Sequence, residues 1–121
     1  MAARPSPRQV IERRRTEQEA LVARARRFAV QLDDALGLRA VVVFGSVARG
    51  DFHDDSDVDV LVVADHLPDR ALDRNAALGL PPPGVEFVAW TAAEWELERD
   101  RGNPIAAEAA GRGVTVAGRL P

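Results

Sequence analysis

Residues 57–64, Asp-Val-Asp-Val-Leu-Val-Val-Ala, join two carboxylates to a run of apolar, mostly β-branched residues that favours a buried strand. The crowding begins earlier, since Asp51 to Asp59 holds five aspartates in nine residues. At an effective dielectric near 20, two carboxylates ~5 Å apart repel by roughly 3 kcal/mol. A small domain has only about 5–15 kcal/mol of total stability. Side chains alternate along a strand, so Asp57 and Asp59 point the same way, about 6.5–7 Å apart, while Val58, Val60 and Val62 point into the core. A fold that accepts this stretch must therefore place the two acids at a strand end and offset their charge.

A second apolar run, Ala40 to Phe44, ends abruptly at Gly45-Ser46. Gly45 lets backbone approach another group closely. Ser46 can cap a short following helix, and helix N-termini attract phosphate. Two aspartates in parallel on a strand are a natural grip for a hard divalent cation such as Mg²⁺, which takes oxygen ligands from one or two carboxylates and from substrate phosphates. Asp51, Asp54 and Asp55 read instead as ordinary turn residues. A calcium loop starting at Asp55 fails, because its sixth and twelfth positions are Val60 and His66 rather than Gly and Glu. Glu86 is a third candidate acid, the one charge in the apolar run Val85 to Trp90. Either it faces Asp57 and Asp59 from a neighbouring strand, or its strand is an edge and Glu86 lies in water.

The rest of the chain arranges helices around these runs. Leu21, Ala25, Phe28, Leu32 and Ala35 form the apolar stripe of a helix from about Arg8, with Gly37 as its C-terminal cap. The preceding ERRRTEQEA has no stripe and is expected to be solvated or mobile. A short helix follows Leu67-Pro68 to about Leu78, and Pro81-Pro82-Pro83-Gly84 closes it. Thr91 and Glu94 make a capping box for a helix to about Arg101, Asn103-Pro104 starts another, and Val114 to Ala117 forms a fourth strand. The order is α-β-α-β-α-β-α-α-β. It implies one α/β (α+β) domain over residues 8–121, with a small mixed sheet of about four strands under helices and a flexible tail at 1–7.

Composition excludes several chemistries. The 121 residues contain no Cys, so disulfides, thiolate metal sites and cysteine nucleophiles are out. All 16 basic residues are Arg, which removes catalytic lysine and the Walker-type phosphate loop. No run suits a bilayer and MAARPSPRQV lacks a signal-peptide core, so the expected location is cytoplasmic, without membrane attachment. Residues 1–36 hold eight Arg against five acids, yet the net charge is −3, so nucleic acid is possible but not the favoured partner. Trp90 could stack on a base but reads better as core, Trp95 reads as packing, and His53 and His66 as solvated loop residues.

Gly-Ser followed ten residues later by Asp-x-Asp resembles the signature of the DNA polymerase β-like nucleotidyltransferase superfamily. GSVARGDFHDDSDVDVLV is similar to the minimal nucleotidyltransferases, small prokaryotic proteins of this length, and the likeness extends from the first helix to NPIAAEAAGRGVTV. The resemblance implies an Mg²⁺- or Mn²⁺-dependent transfer of a nucleoside monophosphate, AMP from ATP, to an acceptor hydroxyl. It implies that Asp57 and Asp59 bind metal and that Glu86, where the family more often has Asp, is the third metal-binding and catalytic acid. Gly45 and Ser46 would cradle the β- and γ-phosphates. Arg49 would pair with phosphate oxygens, a role weighed against that of a surface arginine. The implied partner is a co-encoded helical HEPN-type toxin, with this chain as its antitoxin. The alternatives are an antitoxin that acts by binding alone, and transfer to a small molecule or an RNA end.

Overall fold

The computed structural model describes residues 4–121. Of the expected tail, residues 1–3 lie outside the described residues, and Ser6 and Pro7 are the N-cap and first residue of helix α1 (Pro7–Gln31). Ser6 accepts the Gln9 amide N–H at 3.2 Å while the Gln9 side chain accepts the Ser6 N–H at 2.8 Å, a complete capping box. The helix stops at Gln31, short of the expected Gly37. The reason is local: the Asp33 carboxylate accepts the Ala35 N–H at 2.9 Å and nucleates a separate 3₁₀ turn, Asp34–Leu36. Gly37, at φ 65°, terminates that turn.

Strand β1 (Leu38–Phe44) then crosses the core, followed by the short helix α2 (Gly45–Arg49). Strand β2 (Val58–Ala64), helix α3 (Ala71–Leu78) and strand β3 (Val85–Trp90) come next. Helices α4 (Ala92–Asp100) and α5 (Pro104–Gly111) and strand β4 (Val114–Gly118) complete the chain. The sheet order is β3-β2-β1-β4, with β1 antiparallel to both β2 and β4, and β2 parallel to β3 through the α3 crossover. This is the expected class and element order, a mixed four-stranded sheet under helices.

The central strands are covered on both faces, which is why they read as nearly unbroken apolar runs. On one face α1 packs Val22, Ala25 and Phe28 over Val41, Val43, Val60 and Val62. On the other, Trp95 of α4 and Ala106 and Ala109 of α5 cover Val42, Phe44, Leu61 and Val63. Trp95 is 1% exposed and Trp90 packs against this second cluster, so both tryptophans belong to the core. The polar half of α1 does more than face solvent. Arg14 donates to the Phe52 and Gly50 carbonyls at 2.6 and 3.2 Å and lies over the buried Phe52 ring. Gln18 donates to the Val47 carbonyl at 2.7 Å. The loop carrying the aspartates is thus tied down from behind by α1.

Candidate active site

The geometry of the acids follows from strand register. Phe44, the last residue of β1, pairs with Asp59, and Asp59 in turn is in register with Glu86 on β3. Alternation puts all three side chains on the face covered by α4 and α5. Asp57 immediately precedes β2 and, by the same alternation, belongs to that face. The chain leaves Phe44 through Gly45, so the Gly-Ser turn starts beside the second aspartate.

Gly45 is fitted to this place. Its φ is 75°, a region that side chains with a Cβ seldom adopt. A Cβ built on it would stand 2.6 Å from Asp59 Oδ2, so backbone and carboxylate touch here. The N-cap of α2 is Phe44 and has no side-chain cap, so the expected capping by Ser46 is not seen. The helix begins one residue earlier because Gly45 can take up the bend itself, which leaves the half-buried Ser46 inside the first turn.

The electrostatics are unbalanced. Burial pushes the Asp59 carboxyl above its usual range, and the charges of Glu86, Asp57 and Glu108 add to this, opposed by Arg49. Asp57 is exposed. Both readings of Glu86 apply in part: β3 is an edge strand and the side chain is exposed, yet it is the register partner of Asp59. Glu86 also lines a groove of about 760 Å³ between β3 and the segment from α3 to Pro81.

Arg49 sits at the end of α2. Its Nε donates to Asp51 Oδ2 at 3.2 Å and its Nη1 to Glu108 Oε1 on α5. The hydrogen bond to Asp51 is the largest of the effects that raise its pKa. Between α2 and α5 lies a cleft of about 260 Å³, lined by Gly45, Ala48, Arg49, Glu108 and Arg112 among others. Glu108 and Arg112 are the site neighbours that sequence reasoning missed. The available signal was slight: Glu108 is the one charge in the helix Pro-Ile-Ala-Ala-Glu-Ala-Ala-Gly.

Among the described residues, no three Asp, Glu or His side chains form a preassembled metal cage. Mg²⁺ is commonly held by one or two carboxylates and completed by substrate phosphates and water, and Asp57 and Asp59 are two such carboxylates. The donors are all hard oxygens, and their mutual repulsion at Asp59 is what a cation would relieve. The residues therefore fit such an ion.

The small mixed sheet, with its Gly-Ser turn against an Asp-x-Asp strand end, has the arrangement that the resemblance to nucleotidyltransferases implies. The chain belongs to the nucleotidyltransferase domain family, which matches residues 22–107. It is 49% identical over 41 residues to a Methanocaldococcus jannaschii protein named "Putative protein adenylyltransferase MJ1305". That match covers 34% of this chain and 28% of the relative's length. Among solved structures, a Sulfolobus solfataricus protein described as a "putative nucleotidyltransferase" superposes with a TM-score of 0.60. The two share 23% identity over 84% of each chain, which establishes the common fold. A toxin–antitoxin structure with AMP-PNP is a more distant likeness, with a TM-score of 0.44 and 19% identity over 78% of this chain and 73% of that one. Among the described residues no helix is long and apolar enough to cross a membrane.

Proposed function

We propose that this chain moves AMP from ATP to the hydroxyl of a tyrosine on a co-encoded helical HEPN-type protein, for which it acts as antitoxin. The observation that most supports transfer is the contact of the Gly45 backbone with the Asp59 carboxylate, beside Glu86 in register. It sets the close-approach turn needed by a triphosphate against the acids needed by a metal. The naming of the M. jannaschii relative supports adenylyl transfer to protein as the reaction class.

In this reading Asp57 and Asp59 hold Mg²⁺ or Mn²⁺. An ion held there would supply positive charge to the phosphate group undergoing displacement. Gly45 and Ser46 present backbone to the β- and γ-phosphates, and Arg49 pairs with their oxygens. Glu86, in register with Asp59 at the open edge of the sheet, takes the proton of the attacking hydroxyl. The new bond joins acceptor oxygen to the α-phosphorus, and pyrophosphate leaves.

The test is transfer of α-labelled ATP to the co-encoded partner, with Mg²⁺ and with EDTA. Wild type should label the partner only with metal, and Asp57→Asn should lower transfer by roughly a hundredfold to a thousandfold, the scale of losing a principal electrostatic group. The exposure of Glu86 favours one second reading, neutralisation by binding alone. That reading wins if wild type and Asp57→Asn silence the partner equally and neither transfers label. Label on RNA or on a small molecule would keep the chemistry and replace the acceptor.

A further inference from the structure

Glu108 has no evident role in stabilising its own helix. It lies in the last turn of α5, where the helix dipole disfavours a carboxylate. What it does touch is Arg49, 59 residues away on α2, and both side chains line the same 260 Å³ cleft as Gly45. Asp51 takes the Nε edge of the same guanidinium at 3.2 Å. Asp51 is two residues from Arg49 in the chain, whereas Glu108 belongs to the opposite wall of the cleft. The Arg49 side chain is 36% exposed and that of Glu108 37%, so either can change partner without stranding a bare charge in the core.

We propose that Glu108 is a counterion latch on Arg49. In the free protein it occupies the guanidinium, and when a polyphosphate enters the cleft Arg49 exchanges Glu108 for phosphate oxygens while Asp51 keeps it oriented. Glu108 is thus a positioning residue that sets polyphosphate affinity through Arg49, without touching substrate. One further feature fits an exchange: Arg112 lines the same cleft and adds positive charge where an anion would enter. The inference rests on placing the phosphates at Gly45 and Arg49, and it deepens that reading.

The experiment is calorimetric binding of inorganic tripolyphosphate, with Mg²⁺ present throughout, to wild type, Glu108→Gln, Arg49→Gln and the double variant. Melting curves confirm that each is folded, and Arg49→Ala replaces Arg49→Gln if the latter is not. Glu108→Gln should bind about twofold to fivefold more tightly, the scale of one exposed ion pair. The gain should vanish when Arg49 is also replaced. KM for ATP should fall with no rise in kcat. Weaker binding by Glu108→Gln, or an equal gain with and without Arg49, overturns the latch. The acceptor reading is judged separately, because tripolyphosphate binding needs no acceptor: partner labelling without an Arg49-dependent gain overturns the latch alone, and the gain without partner labelling overturns the acceptor alone.

Discussion

At one end of strands β2 and β3, Glu94 is surrounded by donors; at the other, Asp59 is surrounded by acids. Burial pushes Glu94 up, but the Thr91 N–H at 2.9 Å and the Arg74 guanidinium at 2.7 Å bring it below its usual range. Arg74 is itself satisfied, donating also to the Pro68 and Ala89 carbonyls at 2.6 and 3.0 Å, with its side chain 10% exposed. Asp59 is pushed up by burial and again by Glu86 and Asp57. The same domain therefore meets one acid with donors of its own and sets Asp59 among like charges, which Arg49 opposes. The first arrangement is structural; the second is what a site for a metal and a triphosphate requires.

The largest expected stability effect breaks the satisfied end. Arg74→Met removes the donor to the Pro68 and Ala89 carbonyls and one of the two donors to the Glu94 carboxylate, and should cost about 2–4 kcal/mol. That corresponds to a melting point lower by roughly 8–15 °C. Nucleotide binding by the protein that remains folded should be unchanged, and a variant that melts like wild type would refute the structural assignment.

A smaller effect is expected at the unsatisfied end. Gly45→Ala forces a Cβ into the positive-φ region and against Asp59 Oδ2, at a cost of about 1–2 kcal/mol. The displaced carboxylate should also lower transfer at least ~10-fold, since geometry at a reacting centre is exacting. Wild-type activity in Gly45→Ala would show that the contact between turn and carboxylate is dispensable.

The smallest effect, and the one that sharpens the contrast most, is the pH dependence of the metal-free protein. Asp59 has a folded pKa raised above 3.8, so the folded state keeps a proton that the unfolded chain has already released. Its contribution makes stability fall as pH rises from about that value through the raised pKa. Glu94 has a folded pKa below 4.5, so its contribution is present above that value and is lost as pH falls through the folded pKa. Both groups are partly exposed, so solvent screening keeps each change to about a few degrees in the melting point. Melting curves from pH 3 to 7 should lose the falling contribution in Asp59→Asn and the rising one in Glu94→Gln. Asp59→Asn should melt no lower than wild type at pH 7, and a clear drop would mean that its charge is already compensated.

Much of this was legible locally. Strands β1 and β2 are buried on both faces, so burial appears as unbroken valine-rich sequence, and β3 reads from Val85 to Trp90 as observed. The Thr91–Glu94 capping box announces α4 because its hydrogen bonds span three residues. The period of two in Asp57-Val58-Asp59 tells which residues share a face, and the Gly-Ser turn with its spacing to Asp-x-Asp points to the family that the comparison then established. Where a polar side chain competes with the periodic pattern, local reading went astray: the apolar stripe runs on to Ala35, but the Asp33 carboxylate ends α1 early.

Pairing between distant segments was decided only by the tertiary structure. Nothing near Glu86 in the chain says that β3 lies parallel to β2 with Glu86 opposite Asp59, nor that it does so at an open edge. Nothing near Arg14 shows that it holds the carbonyls of Gly50 and Phe52, and nothing near Glu108 shows that it meets Arg49. Periodicity records which face of an element is buried, because burial acts on each residue through its own position. It does not record what lies across the contact, because that depends on how whole strands and helices pack to exclude water, and on which charges that packing brings together.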